Sequence, residues 1–194
     1  MFQILELEEF ELVRSVMKAT GIVRRIDELG RVVIPKEIRK TMHIKEGTPL
    51  EIYTSSNGDI VFRKYSPVGE ALQVAEDLCA TITETTGLAT IITDTETVVA
   101  VGDSGVDQLK EIALSQEVVK IIEDGKLYEK EGDKELLLSK WADNWNVVML
   151  CPVLVKGELV GSVAIIAKEQ VELGIRERVL VKAAADILSK QMNA

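Results

Sequence analysis

The sequence predicts an α+β protein with two domains, a small β-rich N-terminal domain and a larger mixed α/β domain with an antiparallel sheet. The chain has 194 residues, which is enough for one large domain or two small ones. Its first third contains β-rich runs separated by turn residues. The remainder alternates apolar helical stripes with further β-rich runs, which is the order expected of a sheet covered by helices.

Composition excludes several classes of protein. No apolar run approaches the roughly 18 residues of a membrane span, so we expect no membrane partner. With only two cysteines and one histidine, a disulfide scaffold, a zinc site and histidine-based catalysis are all unsupported. We therefore expect a cytoplasmic protein that is not an enzyme and has no resident metal or cofactor.

Charge is unevenly distributed along the chain. Residues 17–66 carry ten basic and six acidic side chains, whereas residues 67–194 carry 12 basic and 22 acidic ones. Residues 1–16 carry four glutamates and one arginine among apolar residues. This first segment is either a short amphipathic helix or an extension outside the folded unit, and no function is assigned to it. The basic middle segment is expected to meet a polyanion.

Residues 17–66 show a β–β–α–β–β pattern. The predicted strands, with a short helix between the second and third, are Gly21–Ile26, Arg31–Ile34, Leu50–Thr54 and Ile60–Lys64. Turns are expected at residues 27–30 and 55–58, the second containing an Asn-Gly step, and His43 is expected in a turn. Pro35 begins the helix, which continues to Met42. A unit of about fifty residues is rarely stable alone, so we expect an intertwined dimer in which each chain completes the other's sheet.

The run from Thr20 to Lys40, TGIVRRIDELGRVVIPKEIRK, resembles the swapped-hairpin DNA-binding domain of AbrB-type transition-state regulators. The resemblance implies that residues 17–66 form a swapped-hairpin β-barrel that binds double-stranded DNA. It also implies that the family pattern begins near Met17, which leaves residues 1–16 outside it.

By this resemblance, the DNA-contacting residues are Arg24, Arg25, Arg31, Arg39 and Lys40. The planar guanidinium group of arginine is suited to DNA because it bonds two acceptors at once on a phosphate or a guanine. Adjacent residues of a strand point to opposite faces, so Arg24 and Arg25 both reach DNA only at an edge. One of these two side chains is alternatively expected to pair with Asp27 or Glu28.

Residues 67–194 are expected to open with a helix after Pro67 and to end with a helix whose apolar stripe includes Ile175, Val179, Leu180, Ala183, Ile187 and Leu188. Between them we expect strands at 88–93, 97–101, 146–155 and 159–167, a helix at 106–122 capped by Asp103 or Ser104, and a charged loop at 129–135.

The segment from Cys151 to Gly161 resembles a GAF domain. The resemblance implies that residues 67–194 form a GAF-like domain that joins dimers into a tetramer. An unidentified small-molecule ligand of this domain is a further expectation. Trp141 and Trp145 either line its pocket or seal the core, and the sequence favours the core. Cys79 and Cys151 are expected to be core residues.

The function that the resemblance to AbrB-type regulators implies is a DNA-binding transcription regulator of a sporulation type, an activator or a repressor, associated with the nucleoid. The alternative is a swapped-hairpin antitoxin that binds a partner protein and its own operator. The globular periodicity of residues 67–194 favours the regulator, because such antitoxins usually end in a short tail that wraps a toxin.

Overall fold

The computed structural model describes residues 20–42, 44, 46–102, 104–132, 134–142 and 144–193. The chain divides into two compact units, Met1–Lys64 and Tyr65–Ala194, called here the N-terminal and C-terminal units. The predicted two-domain layout with antiparallel sheets and helices is therefore confirmed. The expectations for residues 1–16, for a turn at His43 and for a helix cap at Asp103 lie outside the described residues.

The N-terminal unit begins with an extended segment, residues 21–34, called here the arm. Its turn is confirmed, because the Asp27 N–H donates to the Arg31 carbonyl over 3.0 Å and the Gly30 N–H to the Asp27 carbonyl over 2.9 Å. The strands predicted at Gly21–Ile26 and Arg31–Ile34 are wrong for the single chain, in which both segments are irregular. A two-stranded ribbon is marginal without a further strand or helix to pack against.

A short helix and a β-hairpin complete the N-terminal unit. Helix α1, Lys36–Thr41, follows Pro35, whose φ of −57° suits the start of a helix. Strands β1, Leu50–Thr54, and β2, Ile60–Lys64, pair antiparallel with the predicted bounds. Gly58 closes the hairpin turn at a φ of +85°, a conformation that glycine adopts without strain.

Much apolar surface of the N-terminal unit is exposed in the single chain. Val23 is 84% exposed and Val33 70% exposed in the arm, and Ile52 and Ile60 are more than half exposed on the hairpin. Exposed apolar side chains in this number are typical of a site of protein association.

The C-terminal unit is a five-stranded sheet with helices on both faces. Its elements are α2 (Pro67–Glu70), α3 (Leu72–Thr86), β3 (Thr90–Thr93), β4 (Val98–Val101), a 3₁₀ helix (Ser104–Leu109), α4 (Gln116–Glu123), β5 (Tyr128–Glu129), β6 (Asn146–Val155), β7 (Glu158–Ala167) and α5 (Ile175–Gln191). The strand order is β4-β3-β7-β6-β5, and every pairing is antiparallel, as predicted.

Two buried apolar clusters lie on the two faces of this sheet. Helices α3 and α5 cover one face, where Cys79 and Leu188 are fully buried. Helix α4 and the segment before β6 cover the other, where Ile122 and Leu138 are fully buried. Residues of β7 alternate between the two clusters, as the period of two along a strand requires.

The continuous helix predicted over Val106–Ile122 is wrong. The 3₁₀ helix ends at Leu109 and α4 begins at Gln116. Between them the chain runs beside β4, where the Val98 N–H donates to the Ile112 carbonyl over 3.1 Å and the Glu111 N–H donates to the Val98 carbonyl over 2.8 Å. These residues satisfy backbone groups at the edge of the sheet, and this gain outweighs helical periodicity.

The last helix is confirmed, but most of its predicted stripe is wrong. Ile175 is 80% exposed, Val179 57% and Ile187 47%, whereas Val181, Ala184, Ala185 and Leu188 are buried. The buried face of the helix therefore combines two small residues, Ala184 and Ala185, with Val181 and Leu188. None of the helices among the described residues has the length and apolarity of a membrane span.

Candidate nucleic-acid interface

The turn of the arm is organised by one carboxylate. Asp27 Oδ1 accepts hydrogen bonds from the Leu29 N–H over 3.0 Å and from the Arg31 N–H over 2.8 Å. Asp27 Oδ2 accepts from Arg31 Nε over 2.8 Å. Gly30 has a φ of +74°, so the turn needs glycine at this position. The side chain of Asp27 therefore fixes both the turn and the first atom of the Arg31 guanidinium.

These contacts favour the charged form of Asp27. Hydrogen bonds from the Arg31 backbone N–H, and then from its side chain, hold the pKa of the Asp27 carboxyl below its usual range. The ion pair is solvent-exposed, with 69% of the Arg31 side chain accessible. A guanidinium has five N–H donors, and the tether to Asp27 uses the one on Nε. Among the described residues, only Nε of the Arg31 side chain forms a hydrogen bond, and the terminal nitrogens form none.

The other two predicted residues of the arm, Arg24 and Arg25, are exposed. Arg24 Nη1 donates to the neighbouring Val23 carbonyl over 3.3 Å. The alternative prediction that one of these arginines pairs with Asp27 is wrong, because Asp27 takes Arg31 instead. Sequential neighbours on an extended backbone point to opposite sides, so Arg24 and Arg25 present charge on both sides of the arm.

The remaining two predicted residues lie in the last turn of α1. Arg39 is half-buried, and its Nε donates to the Ile34 carbonyl over 3.2 Å. This bond joins the helix to the end of the arm. Lys40 is exposed. Cations near a helix C-terminus are favoured by the helix dipole, so stabilisation of α1 is an alternative role for these two residues.

All five predicted cations therefore lie in the N-terminal unit, three on the arm and two on α1. Two features of this unit were missed by sequence reasoning. One is the tether from Asp27, which an Asp at the first position of a turn ending in Gly signals. The other is Arg63, whose guanidinium carbon stacks 5.0 Å from the centre of the exposed Tyr53 ring on the β1–β2 hairpin.

The C-terminal unit contains few groups with unusual chemistry. Trp141 is 69% exposed, so the prediction that it seals the core is wrong, whereas Trp145 is half-buried and packs against one core cluster. Burial raises the pKa of the Cys79 and Cys151 thiols. Cys79 is a buried core residue as predicted, whereas Cys151 is half-buried and packs against the core. In the described part of the chain, no three His, Cys, Asp or Glu side chains are grouped to hold a metal ion.

Comparison with known proteins gives matches to both units. A family profile described as "Stage V sporulation protein T C-terminal, transcription factor" matches residues 70–193. A second, described as "Antidote-toxin recognition MazE, bacterial antitoxin", matches residues 23–70.

Individual relatives agree with these matches. Stage V sporulation protein T of Bacillus subtilis (strain 168) is 35% identical over 177 residues, which cover 91% of this chain and 99% of that protein. Transition state regulatory protein AbrB of the same organism is 57% identical over 51 residues, 26% of this chain and 52% of AbrB. The cofactor binding GAF domain of the nutrient sensor CodY from Clostridium difficile is 14% identical, with a TM-score of 0.44, and covers 64% of this chain and 92% of that chain.

An AbrB-type N-terminal domain joined to a larger regulatory domain defines a class of transcription regulators, and this chain is one of them. Within that class the chain belongs to the stage V sporulation protein T family. The predicted resemblance to AbrB-type regulators and the predicted regulator function are thereby confirmed.

Proposed function

We propose that the N-terminal unit binds double-stranded DNA through Arg24, Arg25, Arg31, Arg39 and Lys40. The observation that carries the proposal is the exposure of three arginines on the arm. It is supported by the 57% identity of this chain with AbrB over 51 residues. The acidic C-terminal unit would be repelled by phosphates, so the charge distribution directs DNA to the N-terminal unit.

Fluorescence anisotropy with a labelled A·T-rich duplex tests this proposal. Arg24→Ala, Arg31→Ala and Lys40→Ala should each weaken binding by about three- to tenfold, because each removes a contact to phosphate or base. Lys120→Ala is the matched control, since Lys120 is an exposed cation on α4 of the C-terminal unit. Wild-type affinity for these three variants, with an unchanged far-ultraviolet circular dichroism spectrum, would contradict the proposal.

We propose that two N-terminal units form a swapped-hairpin dimer within the predicted boundaries of residues 17–66. The exposed apolar residues of the arm and hairpin support it, because they need a covering surface and the arm lacks strand partners in the single chain. A second copy of the unit would supply both the covering surface and the strand partners. Dimerisation also doubles the number of cations that face one duplex.

We propose further that the C-terminal units, predicted to start at residue 67, join two such dimers into a tetramer. Ile175, Val179 and Ile187 support this, because they form an exposed apolar row at intervals of four or eight residues on α5. Four N-terminal units on one assembly would raise DNA affinity through effective concentration.

Native mass spectrometry separates these two contacts. The wild-type chain should be a tetramer, and Val33→Asp or Val179→Asp alone should each leave dimers. The double variant should be monomeric, since it places a charge in both apolar surfaces. A tetramer that survives Val179→Asp would contradict the role of α5, and one that survives Val33→Asp would contradict the swapped arm.

The antitoxin alternative is less well supported. Residues 65–193 form a packed five-stranded unit with two buried clusters, whereas a toxin-binding tail needs no such core. The proposed cellular site of the regulator is the cytoplasm, at the nucleoid. Small-molecule binding by the GAF-like unit stays a prediction.

A further inference from the structure

Asp27 has an unusual position for an acidic residue in a proposed DNA-binding surface. It lies at the turn of the arm, between the arginines at positions 24 and 25 and the arginine at position 31. A carboxylate near a polyanion opposes binding by Coulomb repulsion. On charge alone, removing Asp27 should therefore strengthen the interaction with DNA.

The contacts of Asp27 oppose this simple expectation. One carboxylate oxygen holds the backbone of the turn, and the other binds Arg31 Nε at 2.8 Å. A free arginine side chain loses considerable rotamer entropy when it is ordered on a ligand. Because Nε is already fixed by Asp27, part of this rotamer entropy is lost in the free protein and not on DNA binding. The terminal nitrogens, which make the two-pronged contact with phosphate or guanine, stay available.

We propose that Asp27 is a positioning residue for Arg31, so that neutralising Asp27 weakens DNA binding even though it removes a negative charge. This inference rests on the proposed function, in which Arg31 contacts DNA. The competing possibility is that Asp27 occupies Arg31 and must release it, in which case neutralising Asp27 strengthens binding.

The chain offers a matched control at the next position. Glu28 is exposed and belongs to the same turn. Among the described residues Glu28 forms no ion pair, in contrast to Asp27. Glu28→Gln and Asp27→Asn therefore change the net charge by the same amount at neighbouring sites, and only the second breaks the tether. Asn retains an oxygen that accepts the two backbone hydrogen bonds of the turn, so Asp27→Asn preserves the turn.

The experiment measures the affinity of the full chain for a labelled A·T-rich duplex at one salt concentration. Four variants are compared with wild type: Asp27→Asn, Glu28→Gln, Arg31→Ala and the double variant Asp27→Asn/Arg31→Ala. We expect Asp27→Asn to weaken binding by on the order of tenfold, since it removes the orientation of a charge-assisted contact. We expect Glu28→Gln to strengthen binding by about threefold, since it only removes repulsion.

The double variant separates positioning from a general effect on the turn. Without Arg31 there is no side chain to position, so Asp27→Asn in the Arg31→Ala background should strengthen binding as Glu28→Gln does. An equal loss in both backgrounds would overturn the proposal and assign Asp27 to turn formation alone. Affinity of Asp27→Asn equal to or above wild type would also overturn it, while a loss in Arg31→Ala would leave the proposed function standing. Wild-type affinity of Arg31→Ala would overturn the positioning role, because Arg31 would then make no contact with DNA, and the proposed function would depend on the Arg24→Ala and Lys40→Ala results.

Discussion

Gly161 on β7 gives the sharpest test of the C-terminal fold. A Cβ atom at this position would lie 2.0 Å from the Thr93 carbonyl oxygen and 3.1 Å from the Asp94 Cα, both backbone atoms of the neighbouring strand and its turn. The adjacent pair, Thr93 and Ser162, shares a buried hydroxyl–hydroxyl hydrogen bond of 2.8 Å. Gly161→Ala therefore forces β3 and β7 apart where both are fully buried.

The cost follows from these contacts. Overpacking a well-packed site costs about 1–3 kcal/mol. Loss of the hydroxyl pair leaves buried polar groups unsatisfied, at roughly 1–3 kcal/mol more. We expect the free energy of unfolding of the C-terminal unit to fall by roughly 3 kcal/mol, which moves its urea midpoint down by about 1–2 M.

Tryptophan fluorescence during urea unfolding of the full chain is the assay. The sequence has two tryptophans, Trp141 and Trp145, so the signal reports the C-terminal unit alone. Gly69→Ala is the control, because its Cβ would meet nothing closer than 3.6 Å and the residue lies in helix α2. The control should be neutral or slightly stabilising. Equal midpoints for Gly161→Ala and wild type would refute the reasoning.

Three further predictions concern stability. Gly102→Ala should lower the urea midpoint, since its Cβ would lie 2.3 Å from the Cys79 carbonyl. Lys156→Asn should increase the free energy of unfolding by about 0.5 kcal/mol and so raise the thermal midpoint slightly. Lys156 has a φ of +53° in a two-residue hairpin turn, a conformation that Asn adopts more readily than Lys. Glu129→Gln should lower the thermal midpoint modestly at neutral pH, because it breaks the ion pair with Arg178. Hydrogen bonding from Arg178 lowers the pKa of Glu129, so this difference should disappear as the pH falls through that lowered pKa.

Local turn chemistry explains which elements were predictable from sequence. The Asn57-Gly58 step and the Lys156-Gly157 step each impose a positive φ and a tight reversal, so both hairpins were predicted almost to the residue. The Asp27 turn was predictable for the same reason. In these cases the determining residues are adjacent in the chain.

Elements that depend on distant partners were not predictable. The arm has β-rich sequence but no strand in the single chain, because the surface that would complete it is not local. Residues 111–114 were predicted to be helical, but they lie in a non-helical segment that hydrogen-bonds to β4. Among its described residues, the loop predicted at 129–135 is wrong only at the first, because Glu129 ends strand β5 and pairs with Arg178, which is 49 positions away. Among the candidate site residues, sequence identified the cations but not the carboxylate that holds Arg31.

The salt dependence of DNA affinity tests the central proposal most directly. If a dimer contacts about six phosphates, the logarithm of the association constant should fall against the logarithm of salt concentration with a slope near −5. Arg31→Ala should make this slope less steep, because two phosphate contacts are lost per dimer. A steep slope for wild type that flattens in this variant is the result we predict. A slope near zero for the wild-type chain would contradict binding through the cations of the N-terminal unit.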